Sequence, residues 1–464
     1  MGITDSSGIE SSVSRHLRKM RIRRRIAQVL TVCVLSGVCH PNVSVRPSVS
    51  SDGQLSASDQ ALPEDLEHRA FLYFFEQGDP GTGLVRDRAR NGRSPMDDTH
   101  KNKNVASIAA TGFGLTVLCI AANRGWMDPN QVRGRVRATL RFLARRAPRV
   151  HGWYYHWMNA ITGAREWHSE ISSIDSALLL AGVLAVRGYY RDDTEIQHLA
   201  SMIYNRVDFE WMLNGHPTLL SHGWKPETGF LPYRWDTYSE ESILYLLAIG
   251  SRTHPIPAES WYAWRRDPVV YDGYRYIGTG PLFTHQYSQA WVDLRGLKEA
   301  RAPYVDYFAN SIAATRANRL LCINLSSKFH GYDDNVWGIT ASDSSKGYVA
   351  WGGPPPSPDI DGTVVPCAAG GSLMFAPDIC LPALRAMRQV YGERIYGRYG
   401  FADAFNPNTG WVDSDVIGID LGITILSAEN LRSGSVWGWI ARSPEIRRAI
   451  LLAGLSPSLT QKAR

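Results

Sequence analysis

The sequence predicts an all-α fold, an (α/α)6 barrel carrying short β-hairpins in the loops on one face. Three observations carry this expectation. Apolar helical stretches recur from about Leu66 to the end of the chain, buried-type helices alternate with one-sided ones, and a Thr-Gly turn returns at a near-regular interval.

The chain opens on a basic stretch, with Arg15, Arg18, Lys19, Arg21, Arg23, Arg24 and Arg25. It is followed by the apolar run from Ile26 to Leu35 and by small residues around Gly37. That order reads as a secretory leader over residues 1–40, and the apolar run is too short for a stable membrane span. Residues 41–61, rich in Ser, Pro and Val, read as a flexible linker. The remainder, 62–458, reads as one domain. The net charge of +6 lies largely in the leader, so the sequence gives no basic surface for nucleic acid. An exported monomer is expected.

Helices are expected at 66–75, 105–123, 131–146, 171–189, 195–213, 240–250, 286–294, 305–322, 372–390, 416–430 and 444–455. The run Ala177-Leu178-Leu179-Leu180-Ala181-Gly182-Val183-Leu184 is apolar on all sides, as suits a helix buried all round. Segment 131–146 instead carries Arg133, Arg135, Arg137, Arg141, Arg145 and Arg146 and keeps one wet face. Alternation of the two kinds is what two concentric helical rings require. Thr82-Gly83, Thr162-Gly163, Thr228-Gly229 and Thr409-Gly410 supply the second period. Glycine provides the positive φ of a tight turn, so each reads as a small hairpin. Intervals of about 80 and about 66 residues then fill the folded portion roughly six times.

Cys119, Cys322, Cys367 and Cys380 lie far apart in apolar surroundings, without Cys-x-x-Cys spacing. Buried thiols, with one disulfide as the alternative, are expected rather than zinc. No metal or other cofactor is expected.

Several aromatic loops end in a hydroxyl residue and a carboxylate just before an apolar helix. They are Trp167-His168-Ser169-Glu170, Tyr238-Ser239-Glu240, Thr340-Ala341-Ser342-Asp343 and Trp411-Val412-Asp413-Ser414-Asp415. Starts of inner helices share one face, so these acids are expected to meet there. Capping competes as an explanation, and Thr237-x-x-Glu240 has the form of a capping box. Asp175 and Asp420 sit inside apolar helical stretches, where an ionised carboxylate is costly unless paired or facing water. With 15 Trp and 21 Tyr, many in loops beside Gly, Asp and Arg, stacking on the apolar faces of sugar rings is in reach. Arg234-Trp235-Asp236 and Phe283-Thr284-His285-Gln286-Tyr287 add donors and ring faces. The chemistry expected is hydrolysis of a glycosidic bond between two carboxyl groups. A polysaccharide lyase using the region of His285 and Tyr287, and a glycan-binding protein without turnover, are the competing classes.

From about Leu62 to Trp439 the chain resembles the bacterial glycoamylase-like family, which is related to the endo-β-1,2-glucanases of glycoside hydrolase family 144. The resemblance is carried by Phe71-Leu72-Tyr73-Phe74-Phe75-Glu76, Asp79–Val85, Ser107–Gly114, Ser169–Asp175, Arg234–Glu240, Thr284–Ser288, Trp337–Asp343 and Gly418-Ile419-Asp420-Leu421-Gly422. It implies an (α/α)6 barrel that hydrolyses a glucan, β-1,2-glucan or its oligosaccharides, with inversion and without a metal; an α-glucan substrate is the alternative. It implies Glu240 as proton donor, Asp420 or Asp415 as base, and Asp175 and Glu170 as groups that bind substrate or orient water. Substrate contacts are expected from Arg234, Trp235, Asp236, Tyr238, His285, Gln286, Trp337, Asp343 and Trp411. The last motif departs from the family's Gly-Ile-Asp-Gln-Gly at Leu421, which removes polar contacts there and bears on linkage or substrate length.

Overall fold

The structure, a computed structural model, describes residues 57–92, 94, 103–278 and 280–457. The expected leader and nearly all of the expected linker lie outside the described residues. What is described is mostly helical. Its helices are α1 (Ala57–Glu76), α2 (Ile108–Arg124), α3 (Pro129–Arg145), α4 (Ser173–Tyr189), α5 (Thr194–Asn205), α6 (Phe209–Met212) and α7 (Ser242–Gly250). They continue with α8 (Tyr287–Trp291), α9 (Tyr307–Asn324), α10 (Pro366–Gly370), α11 (Pro377–Tyr391), α12 (Gly418–Arg432), α13 (Ser435–Ile440) and α14 (Pro444–Leu452).

Nearly every residue of α2, α4, α7 and α12 is buried, as their all-round apolar sequences require. α2 packs on α4, α4 on α7, α7 on α8, α8 on α12, and α12 on both α10 and α2. Each fully buried Leu or Ile in these contacts contributes about 1.5–3 kcal/mol of transfer free energy. The tightest meeting is α2 with α4: a Cβ on Gly182 would stand 2.0 Å from the Gly112 carbonyl oxygen, so only glycine fits. α3 lies outside, against α5. Its Asp128 cap accepts from the amides of Asn130 and Gln131, and its wet face pairs Arg137 with Asp193 and Arg141 with Glu195.

Most helices stand where the apolar periods put them, and the departures have local causes. Residues 105–107, 171–172 and 415–417 extend as short strands, paired with 157–159, 223–224 and 88–90, before α2, α4 and α12 begin. The expected helix 195–213 breaks at Arg206, and Asp208 caps a new turn through the Trp211 amide. All four Thr-Gly turns are present, with φ between 72° and 78° at Gly83, Gly163, Gly229 and Gly410. The four cysteines are buried free thiols. Among the described residues no helix is long and apolar enough to cross a membrane.

Candidate active site

Asp175 enters the site from the first turn of α4. Ser172, the cap of that helix, accepts from the Asp175 amide and returns its hydroxyl proton to the Asp175 carboxylate. His156 faces the same carboxylate from a neighbouring loop, with Nε2 at 3.6 Å from Asp175 Oδ2 and Nδ1 at 2.8 Å from Glu170 Oε1. Burial works against the imidazolium, but Asp175 and Glu170 outweigh it and push His156 up to about 9. Burial likewise opposes ionisation of Glu170, yet the imidazolium holds that carboxyl down at about 2. Asp175 stays above its usual range because burial outweighs its own contact with His156.

Glu240 stands two residues before α7 and is half-buried. The capping box expected for it does not form. The N-cap is Glu241, without a side-chain cap bond to the helix, and Glu241 turns back to accept from the Ser239 amide at 2.6 Å and hydroxyl at 2.8 Å. Glu240 is engaged through its backbone carbonyl, which accepts from Ser288 at 2.8 Å. Desolvation pushes its carboxyl up to about 7, and the charge of Asp175 pushes the same way.

The late aspartates form a second cluster. Asp420, in the first turn of α12, accepts from the Cys367 thiol at 3.3 Å. Burial pushes it up to about 6, against hydrogen bonds from Asp403 and Cys367 that favour its ionised form. Asp403 is driven well above its usual range by burial and then by the charge of Asp420. Of two carboxyls in one buried site, Asp403 is the one that keeps a proton. Asp403 Oδ2 accepts from the Asp343 amide at 2.8 Å, and Arg88 donates to Asp343 at 2.6 Å and to Asp87 at 3.0 Å. Asp413 is pushed up to about 7 by burial, then by Asp343 and Asp415. Asp415 itself pairs with Arg90 at 3.1 Å.

One helix lies between the clusters: α8 packs on both α7 and α12, and its Ser288 donates to the Glu240 carbonyl. The phenol of Tyr287, on the same helix, is raised by burial first and then by the charges of Asp420, Tyr348, Cys367 and Glu240. The charge of Asp87 acts on both His156 and Asp420.

The remaining expected contact residues divide by exposure. Trp411 and Asp343 are half-buried, as is Asp236, whose carboxylate accepts from Thr237 at 3.3 Å. Arg234 donates to the carbonyls of Leu213, Leu219 and Asn214. Trp235 donates to Ser173 at 2.9 Å, and Tyr238 meets His285 Nδ1 at 3.2 Å. Burial lowers His285 to about 3, so it is neutral. Gln286 donates to Ala368 and Ser372, joining α8 to α10, and Trp337 is fully buried. The side chains of Arg234, Trp235, Tyr238 and His285 therefore meet protein partners, as does the Gln286 amide nitrogen, while Gln286 Oε1 is buried without one. Sequence reasoning missed His156, Asp87, Arg88, Tyr348 and Asp403. The signal for His156 was its place in the aromatic run Trp153-Tyr154-Tyr155-His156-Trp157.

Comparison with known proteins bears out the resemblance read from the sequence. The Glycoamylase family model, described as "Putative glucoamylase", matches residues 232–444. A curated protein of Parabacteroides distasonis, an exo β-1,2-glucooligosaccharide sophorohydrolase acting at the non-reducing end, is 26% identical over 85% of this chain. The chain spans only 58% of that relative's length. Among solved structures, an endo-β-1,2-glucanase of Chitinophaga pinensis in complex with sophorotriose and glucose is 28% identical. The match covers 86% of this chain and 99% of that one, with a TM-score of 0.79. A Bacteroides caccae protein described as a putative glucoamylase is 29% identical with the same TM-score, over 86% of this chain and 100% of its own.

Proposed function

We propose that this protein is a glycoside hydrolase that cleaves β-1,2-glucan or its oligosaccharides, with Glu240 as general acid and Asp420 as general base. The observation that carries the reading is that α8 links the two acids: its Ser288 donates to the Glu240 carbonyl at 2.8 Å, and the same helix packs on α12, whose first turn holds Asp420. The similarity to β-1,2-glucan hydrolases supports the substrate class. The packing order of the buried helices supports reading 62–458 as one (α/α)6 barrel, and the basic-then-apolar order of the expected leader supports export.

The protonation states suit the two roles. A general acid must hold its proton near neutrality, and Glu240, at about 7, is protonated below that pH. A general base must be ionised, and Asp420, at about 6, is ionised above that pH. Asp403 keeps its own proton and, with the Cys367 thiol, stabilises the Asp420 carboxylate. Asp420 is preferred over Asp415 because Asp415 is held against Arg90 in a strand pair. In an inverting reaction Glu240 protonates the leaving oxygen while Asp420 takes a proton from the attacking water. Glu170, Asp343, Asp236 and Trp411, all half-buried, are the readiest to meet sugar hydroxyls and ring faces. A lyase would need His285 and Tyr287 open to substrate, but both are buried and His285 Nδ1 faces Tyr238 and Asn310.

The test is a screen of the purified protein against β-1,2-, β-1,3-, α-1,4- and α-1,6-glucans, with product anomers followed by NMR. Hydrolysis of the β-1,2 polymer with inversion, and a loss of about 10²–10⁴-fold in kcat for both E240Q and D420N, is expected. Wild-type rates in E240Q would refute the assignment of the acid. Products absorbing in the ultraviolet would indicate a lyase instead.

A further inference from the structure

The loop between strands Trp157–Asn159 and Ile171–Ser172 holds two consecutive non-glycine residues in the left-handed region, Trp167 at φ 53° and His168 at φ 49°. A bulky side chain resists that conformation, which persists only where the surroundings over-determine it. Arg165 does so here. Its Nε donates to the Ser169 carbonyl at 2.6 Å and its Nη2 to the His168 carbonyl at 2.7 Å. The same guanidinium makes two bonds to Glu227 and lies 5.0 Å over the Tyr155 ring. The strained backbone is thus clamped on both sides of the turn.

This clamping does not bury Trp167, whose indole is left 44% exposed. Its ring meets the edge of Trp157 at 5.4 Å, and Trp157 stacks on His156 at 4.0 Å and 17°. His156 bonds Glu170 and approaches Asp175. A row of rings therefore runs from the half-buried carboxylates to an exposed indole. A tryptophan that served only to glue the loop would hide its ring. Polar groups flank the row: Asn159 donates to Glu166 at 2.9 Å beneath the turn, and Glu227 lies on the other side, against Arg165. Rings edged by carboxylates and amides match a pyranose, which offers an apolar C–H face and a rim of hydroxyls, better than a lipid or an aliphatic side chain.

We propose that Trp167, with Trp157 behind it, is an outer sugar-binding platform that takes a glucose unit of a glucan chain remote from the bond being cleaved. The proposal rests on the glucan-hydrolase reading and adds to it a site that favours longer chains.

Two measurements test it. In the first, KM is compared for β-1,2-linked trisaccharide and polymer. W167A raises KM for the polymer about tenfold and collapses the preference for long chains, and W167F, which keeps a ring, restores most of it. Equal changes in KM for both substrates in W167A, or none for either, overturn the platform. The second measurement needs no turnover. Calorimetric titration of E240Q with the same trisaccharide and polymer should show a length-dependent affinity that is lost in the double variant with W167A. If wild-type protein cleaves no glucan but that length dependence appears and is lost, the hydrolase reading fails and the platform stands. If E240Q binds the polymer with an affinity that W167A does not alter, the platform fails and the hydrolase reading stands. If neither glucan is bound or cleaved, both fall.

Discussion

Replacing His156 by Gln isolates the electrostatic role of the pair it makes with Glu170 and Asp175. In the folded protein the imidazole rises from 6.5 to about 9, with Asp175, Glu170 and then Asp87 favouring the cation over the opposing burial. Because the folded-state value is raised, the stabilisation is fully present below pH 6.5 and is lost as pH rises through 9. Glu170 is depressed from 4.5 to about 2, so on the acid side the same contact weakens as pH falls below 4.5. At 1.36 kcal/mol per pH unit the rise corresponds to about 3 kcal/mol. With the imidazole side chain 26% exposed, about 2–3 kcal/mol is the better figure. Urea unfolding of wild type and H156Q at pH 6.0 and pH 9.5 measures it. The difference in unfolding free energy should be larger at pH 6.0 by that amount. Loss of stacking on Trp157 contributes equally at both values and cancels. An identical difference at the two values would refute the cationic state of His156 and the electrostatic link to Asp175.

Asp175 raises Glu240, so D175N should lower the pH of the alkaline limb of kcat/KM below its wild-type position near 7, measured on soluble β-1,2-gluco-oligosaccharides. The Cys367 thiol stabilises the ionised Asp420, so C367A should move the acidic limb up from about 6, read in the same profiles. G182A places a methyl group against the Gly112 carbonyl and should destabilise the protein by at least about 1–3 kcal/mol in denaturant melts, without shifting either limb.

The helices were legible because burial writes itself into local sequence. An all-round apolar run such as 177–184 has few alternatives to a buried helix, and the Arg face of α3 reports its exposed side. Boundaries failed where partners are remote. Nothing near Val105 or Asp415 announces a strand pair with 157–159 or 88–90, and a three-residue strand carries no usable period. The short α13 escaped for a related reason: Ser435–Ile440 is too brief to show a 3.6-residue repeat. The capping box at Thr237 failed through competition: the Thr237 hydroxyl donates to Asp236 and accepts from Arg265, and the helix starts only at Ser242.

The acids were legible by position, and their chemistry was not. Glu170, Asp175, Glu240 and Asp420 all stand at the starts of buried helices, a pattern the chain displays locally. What sets their protonation comes from elsewhere: His156 from the preceding hairpin, Asp403 from before a different turn, Cys367 from α10. The strand pairs that blurred the helix boundaries bring these groups together. The pair 105–107 with 157–159 ties the entry of α2 to the His156 hairpin. The pair 171–172 with 223–224 ties the entry of α4 to the next hairpin, and 88–90 with 415–417 sets Asp87 and Arg88 beside the entry of α12. Each pair fixes the start of a buried helix against a loop from another part of the chain. A one-residue slip in 88–90 would turn Arg88 and Arg90 to the opposite face and strip Asp343 and Asp415 of their partners. These short strand pairs, too brief to read from sequence, are therefore what turns a set of well-placed acids into one electrostatically coupled site.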